Sequence, residues 1–200
     1  CIRDSLVTGA GGSIGSELVK NCLSFDPSLL ILLDQSEHNL FKIDRECSQN
    51  NHPVSFKPIL GDIRDKALLH RVFSSFKPDV VFHAAAYKHV PMQEEHPWEA
   101  VFTNIQGTMN LMDTAEDYGV DRFVLVSTDK AVNPTNIMGA TKRVAEKLIQ
   151  SKAIDSKVKY MAVRFGNVIG SSGSVIPTFQ EQIRNGGPIT ITNPKPQSYR

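Results

Sequence analysis

The sequence predicts a doubly wound α/β fold, a parallel sheet with helices on both faces. Three observations predict it. Short apolar or β-branched runs alternate with segments of helical period along the whole chain. The runs are continuously apolar, as strands buried on both faces require. A glycine cluster, Thr8-Gly9-Ala10-Gly11-Gly12-Ser13-Ile14-Gly15, joins the first run to the first helical segment. Strand–helix–strand alternation with short links gives right-handed crossovers and parallel neighbours.

Each element has its own signal. The strand Ser5–Thr8 runs into the glycine cluster, and the helix Ser13–Ser24 leaves it. Leu29–Leu33 is an apolar run of buried-strand length, closed by Asp34 and followed by the helical period of Glu37–Gln49. Val54–Leu60 ends on Gly61-Asp62-Ile63, and Asp65 is placed to cap the helix Lys66–Phe73. Val80–Ala84 is the fourth strand. Pro97 suits the first turn of a long helix, Pro97–Tyr118, and Gly119 sits where a left-handed C-cap would end it. Phe123–Ser127, the helix Met138–Ser151 and the strand Val158–Arg164 complete the alternation. Beyond Arg164 the pattern changes: Phe165–Ser174 is rich in Gly, Asn and Ser, a short helix spans Val175–Arg184, and Gly186-Gly187-Pro188 makes a turn. Residues 1–164 are therefore expected to form the nucleotide-binding domain, and 165–200 the start of a substrate-binding region. Cys1 stands one step before a strand and Arg200 follows no terminal cap, so the chain is expected to be cut at both ends.

Composition narrows the function. Two hundred residues suit one domain, and 40% hydrophobic with 22% charged residues is ordinary for a soluble one. Lys and Arg number 22 against 21 Asp and Glu, a net charge of +1 that argues against bulk binding to nucleic acid or anionic membrane. No apolar run approaches the ~20 residues of a membrane helix, and no secretory signal is visible. Cys1, Cys22 and Cys47 are too few and too scattered for a disulfide framework or a zinc site, so no metal is expected and the cytosol is the default compartment.

The glycine cluster has the context of a dinucleotide site. Gly9 permits the tight turn, Gly12 lets the backbone approach a pyrophosphate, and Gly15 lets helix and strand pack closely. The amides at the helix start, at Ser13 and Ile14, face the phosphates, with Gly11 supplying a further open amide. Asp34, about 20 residues on, is placed to accept from the adenosine ribose hydroxyls, to cap the following helix, or both. The run Gln35-Ser36-Glu37 offers no cation for a 2′-phosphate, which favours NAD over NADP. Asp62 either meets the adenine edge, with Ile63 on its face, or forms a helix-approach turn. Ala84 and Ala85 leave room for a flat cofactor, while His83 reads as a buried, hydrogen-bonded histidine.

Thr128-Asp129-Lys130 ends the fifth strand, where such sheets place their chemistry, and Lys142 projects from the first turn of the next helix. The alternatives are an exposed ion pair for Asp129 and Lys130 and a solvated helix lysine for Lys142. Ser174 and Val175 open a helix whose amides suit phosphate or uracil. Arg164 and Arg200 are candidate phosphate cations, Arg164 being equally well read as a structural pair. Glu94 and Glu95 read as solvated helix-start charges, and Asn104 as a backbone bridge near the site.

These segments in order, TGAGGSIG, Asp34, GDIRD, HAAAYKHVPMQEEHPWEAVFTNIQGTMN, STDKAVNPTNIMGATK and RFGNVIGSSGSVIPTF, resemble the extended short-chain dehydrogenase/reductase superfamily. Within it they are similar to the polysaccharide-biosynthesis branch, nucleotide-sugar 4,6-dehydratases acting on UDP-N-acetylglucosamine. The superfamily carries Tyr-x-x-x-Lys, whereas this chain has Met138-x-x-x-Lys142. A thioether neither gives nor takes a proton. Met at this place resembles the larger membrane-anchored dehydratases of bacterial glycan pathways.

The resemblance implies a bound NAD that oxidises sugar C4, loss of the C5 proton, departure of water from C6, and return of hydride to C6. It implies Thr128 at the C4 oxygen, Asp129 as the acid with a raised pKa, Lys130 as the C5 base and Lys142 at the nicotinamide ribose. Lys88, His89 and Met92 approach the sugar, and Asn167 the diphosphate. Further implications are a homo-oligomer, membrane helices upstream of Cys1 with this domain on the cytoplasmic side, and retention at C5. An inverting dehydratase, a nucleotide-sugar 4-epimerase or dehydrogenase, and a non-catalytic NAD- or nucleotide-sugar-binding module are the alternatives.

Overall fold

The computed structural model describes residues 3–49, 54–166, 168 and 175–189. Six parallel strands form one sheet: β1 (Ser5–Thr8), β2 (Leu29–Asp34), β3 (Ser55–Leu60), β4 (Val80–His83), β5 (Arg122–Thr128) and β6 (Lys159–Phe165). Their order is β3-β2-β1-β4-β5-β6. The winding reverses between β1 and β4, and that reversal opens a crevice beyond the strand carboxyl ends. Pro58, which cannot donate to a ladder, lies in β3, an edge strand of this sheet.

Both faces of the sheet are covered, which explains the unbroken apolar runs. Leu6, Ile31, Leu33, Val81, Phe123 and Leu125 face one core, closed by α3 (Lys66–Phe76), α6 (Thr108–Asp117) and α7 (Ile137–Asp155). Val7, Leu30 and Leu32 face the other, closed by α1 (Ser13–Leu23) and α2 (Glu37–Gln49). Leu30, Ile31 and Leu32 are fully buried, and each contributes roughly 1.5–3 kcal/mol.

The predicted caps are present. The Asp65 carboxylate accepts from the Leu68 amide at 3.0 Å, and Gly119 takes φ +68° past the end of α6. The long helix expected over Pro97–Tyr118 is interrupted. A short α5 (Pro97–Ala100) passes into a π-helical turn, Val101–Gly107, before α6 begins. The wide turn carries Thr103, Asn104 and Gly107 to the buried side. A short α4 (Val90–Glu95) precedes α5 and was not read from the sequence. The chain divides into two compact units after Gly166. In the second, α8 spans Val175–Arg184 as expected, and the Gly187 amide closes on Gln182 O at 2.8 Å.

Candidate active site

The phosphate loop is built by close approach. Gly9 has φ +67°, and a Cβ there would stand 2.7 Å from the Ala85 amide nitrogen. A Cβ on Gly15 would lie 1.9 Å from Gly9 O, so α1 can pack on β1 only through hydrogen. Gly12, the residue before α1, is in extended conformation and makes no side-chain cap to the helix that starts at Ser13 and Ile14. Asp34 is buried at the end of β2 and accepts from the Gly11 and Ser36 amides, each at 2.9 Å. Two expectations are corrected here. The Gly11 amide is engaged by Asp34 rather than open to phosphate. The cap of α2 is Ser36, whose Oγ accepts from Asn39 at 3.3 Å, and not Asp34.

A cleft of about 170 Å³ opens at the reversal point, walled by Gly9, Gly12, Asp34, Ile63, Ala84 and Ala85 among others. Asp62 is not on its wall, although Ile63 is. The Asp62 carboxylate takes the Arg64 amide at 2.8 Å and Arg64 Nε at 2.7 Å, so the approach turn is present. Thr103 was missed. It lines the cleft and is 2% exposed, and its Oγ1 has no hydrogen-bond partner among the described residues. A buried hydroxyl of this kind fits a ligand rich in hydrogen-bonding groups. Nothing in the sequence announces the π turn that delivers it.

His83, at the end of β4, is buried as expected. Thr108 Oγ1 gives its proton to Asn104 O at 2.7 Å, so at 2.9 Å it accepts from the ring Nε2–H. Nδ1 then accepts from Thr8 Oγ1 at 2.8 Å. Burial, aided by the Lys142 charge, lowers the His83 pKa to about 3 and keeps the ring neutral. Asn104 clamps the Tyr87 backbone through N–H to Oδ1 at 2.8 Å and Nδ2 to O at 3.1 Å, and reaches Thr141 Oγ1 at 3.0 Å. It bridges backbone, as predicted.

Thr128, Asp129 and Lys130 stand together where β5 passes into a 3-10 turn, Asp129–Ala131. Thr128 Oγ1 donates to Asp129 Oδ1 at 3.0 Å, and Lys130 Nζ donates to the same oxygen at 3.2 Å. Partial burial raises the Asp129 pKa, but the hydrogen bonds from Thr128 and Lys130 outweigh it and the net shift is downward. This corrects the raised pKa expected of a resting acid. The first turn of α7, capped by Asn136 Oδ1 on the Gly139 amide at 2.8 Å, presses on this segment. A Cβ on Gly139 would meet Lys130 O at 2.6 Å. Met138 is buried in that turn. Lys142 is buried too, and its Nζ donates to Val126 O at 2.7 Å. Burial lowers its pKa to about 8 against the raising effect of Glu146.

Other expectations fare differently. Arg164 is the structural pair: its guanidinium grips Glu146 through Nε–Oε1 at 2.7 Å and Nη2–Oε2 at 2.6 Å. That geometry corrects its candidacy as a phosphate cation, because its Nε–Nη2 edge already faces a carboxylate. Glu146 was missed, although its place four residues after Lys142 was legible. Glu94 is not merely solvated, since Oε1 accepts from the Ile137 amide at 2.7 Å and ties α4 to the start of α7. Lys88 and His89 are exposed in the segment leading to α4, and Met92 is exposed on it. Partial burial lowers the Lys88 pKa. Asn167, Ser174, Arg200 and the Val175 side chain lie outside the described residues. A larger concavity, about 340 Å³, is walled by Glu146, Gln150, Ala162 and Arg164, away from the phosphate loop.

The strand order, the glycine turn and the cleft at the reversal point are those of a dinucleotide-binding α/β protein of the Rossmann type. Comparison with known proteins narrows the class. The chain belongs to the polysaccharide biosynthesis protein family, whose model matches residues 5–199. It is 50% identical over 196 residues to the capsular polysaccharide biosynthesis protein CapD of Staphylococcus aureus, covering 97% of this chain and 33% of that protein. It is 38% identical over 197 residues to a UDP-N-acetylglucosamine 4,6-dehydratase (inverting) of Campylobacter jejuni, covering 95% and 57%. Proteins named UDP-glucose 4-epimerase also match at 37%. The crystal structure of DesIV, a dTDP-glucose 4,6-dehydratase from Streptomyces venezuelae with NAD and TYD bound, superposes with TM-score 0.78 at 26% identity, covering 92% of this chain and 62% of that one. The chain thus spans between a third and just over half of the curated relatives it matches.

Proposed function

We propose that this chain is the NAD-binding, catalytic part of a UDP-N-acetylglucosamine 4,6-dehydratase that retains the C5 configuration and serves surface glycan synthesis. The observation that carries the reading is the hydrogen-bonded Thr128–Asp129–Lys130 turn pressed against the first turn of α7. The cleft suits NAD: Asp34 has lone pairs left for ribose hydroxyls, the start of α1 suits a pyrophosphate, and Thr103 Oγ1 awaits a partner. Bound NAD supplies the reversible hydride acceptor that the redox steps at C4 and C6 need.

The side chains handle the protons. Thr128 accepts from the C4 hydroxyl and passes that proton along its 3.0 Å hydrogen bond to Asp129, which rests ionised. Asp129, now protonated, gives the proton to the C6 oxygen as water departs. Lys130, paired with Asp129 at rest, gives its extra proton to solvent as the sugar binds, takes the C5 proton as an amine, exchanges it with solvent and returns a solvent-derived proton to the same face. Each group ends as it began, and the sugar has lost one water. No phenol is required, so the buried Met138 is compatible with turnover. Retention rests on Lys130 serving a single face of C5. Lys142 keeps two N–H donors beyond its bond to Val126 O, enough for the nicotinamide ribose hydroxyls.

The test is incubation of the purified full-length protein with UDP-N-acetylglucosamine and NAD, followed by mass spectrometry and proton NMR. A product lighter by one water with gluco configuration at C5 is expected. The inverted C5 epimer would overturn retention. The 37% identity to proteins named as epimerases favours the second reading, a 4-epimerase, which predicts an isomer of unchanged mass. Cofactor binding without any product would leave a non-catalytic binding module.

A further inference from the structure

One buried carboxylate has no part in the proton transfers just described. Glu146, 2% exposed, lies on α7 one turn beyond Lys142. Residues four apart share a helix face, and these two make adjacent rungs to β5. Lys142 Nζ donates to Val126 O at 2.7 Å, and Ser127 Oγ donates to Glu146 Oε1, also at 2.7 Å. Arg164 of β6 holds both carboxylate oxygens, and Arg143 reaches Oε2 at 3.2 Å. The carboxylate is thereby fixed on three sides, behind the strand end that carries Thr128.

We propose that Glu146 is a positioning residue for Lys142, whose negative charge, locked by Ser127 and Arg164, keeps the buried amine in its ammonium form. Burial pulls Lys142 toward the neutral amine and Glu146 opposes it. Other ionisable groups on the elements packed about α7 are engaged elsewhere. His83 is neutral, Asp129 pairs with Lys130, Glu94 with the Ile137 amide, Glu99 with Arg64, and Asp113 and Glu116 with Lys152. Glu95 and Asp117 are exposed, and Arg122 and Lys159 stand at the amino ends of β5 and β6. The consequence for turnover rests on the role given to Lys142 above, but the effect on its ionisation does not.

The test is NMR titration of the whole chain with ¹³Cε-labelled lysine, the Lys142 resonance being assigned by its loss in Lys142→Met. The wild-type midpoint is expected near 8. Glu146→Gln, which keeps the shape and removes the charge, should lower it by roughly half a pH unit or more. Glu146→Asp, which shortens the side chain but keeps the charge, should leave it within a few tenths. A merely structural role predicts the reverse order, because loosening admits water and raises a buried lysine. A Glu146→Gln midpoint that is unmoved or raised overturns the proposal, as does a Glu146→Asp midpoint that falls by half a unit or more. If the Gln variant does not fold, the Asp variant decides. Absence of dehydrated product from wild-type protein would sink the dehydratase reading and leave this titration to decide the present one.

Discussion

Asp129 works in the proposed reaction because its neighbours hold it ionised at rest. Asp129→Asn should lower dehydration by about 100-fold or more while NAD affinity stays within a factor of a few, measured by turnover and by calorimetry. Lys130→Met should abolish exchange of the C5 hydrogen with deuterated solvent, read by mass spectrometry of recovered sugar. Glu146 gives a pH dependence of stability. Its folded pKa is lowered to about 2, by Arg164 first, from an ordinary 4.5. The native state thus binds fewer protons than the unfolded one. The stabilisation is full above pH 4.5 and is lost as pH falls through about 2. Because the Arg164 side chain is 40% exposed, solvent screening makes this stabilisation smaller than that of a fully buried pair. Urea unfolding should therefore show a steeper acid loss in wild type than in Glu146→Gln.

The elements explain how these residues come into register. β5 and α7 meet through the Lys142–Val126 and Ser127–Glu146 hydrogen bonds, and the π turn meets both the segment after β4 and α7 through Asn104. Asn104→Ala should cost about 2–3 kcal/mol, from several buried hydrogen bonds lost at once, and raise KM for the sugar more than it lowers the cofactor affinity. Gly15→Ala should be worse for the fold, at about 3 kcal/mol or more, since the new Cβ meets backbone that cannot turn aside. Much at this scale was legible. The glycine cluster announced the turn between β1 and α1, Asp65 announced its helix, and the small residues after His83 announced space. The π turn was not legible, because its apolar spacing differs from that of a continuous helix by a single residue. Nor was the fate of Arg164, where a phosphate partner and a carboxylate partner ask for the same side chain.

At the scale of the molecule, the alternation of strands and helices fixed the class of fold, because only a sheet covered on both faces tolerates runs such as Leu29–Leu33 without polar interruption. Strand order brought residues distant in sequence to one crevice: Gly9, Asp34, Ile63, Ala84 and Thr103 come from five separate stretches of chain. Burial and partners settled local contacts that spacing left open, as at Arg164 and Asn104. The central claim is that the turn after β5 moves protons around a sugar held beside NAD. The most direct test is one incubation of UDP-N-acetylglucosamine, NAD and the full-length protein in deuterated water. The account predicts a product that has lost one water and carries deuterium at C5. A product of unchanged mass, epimeric at C4 and free of deuterium at C5, would contradict it.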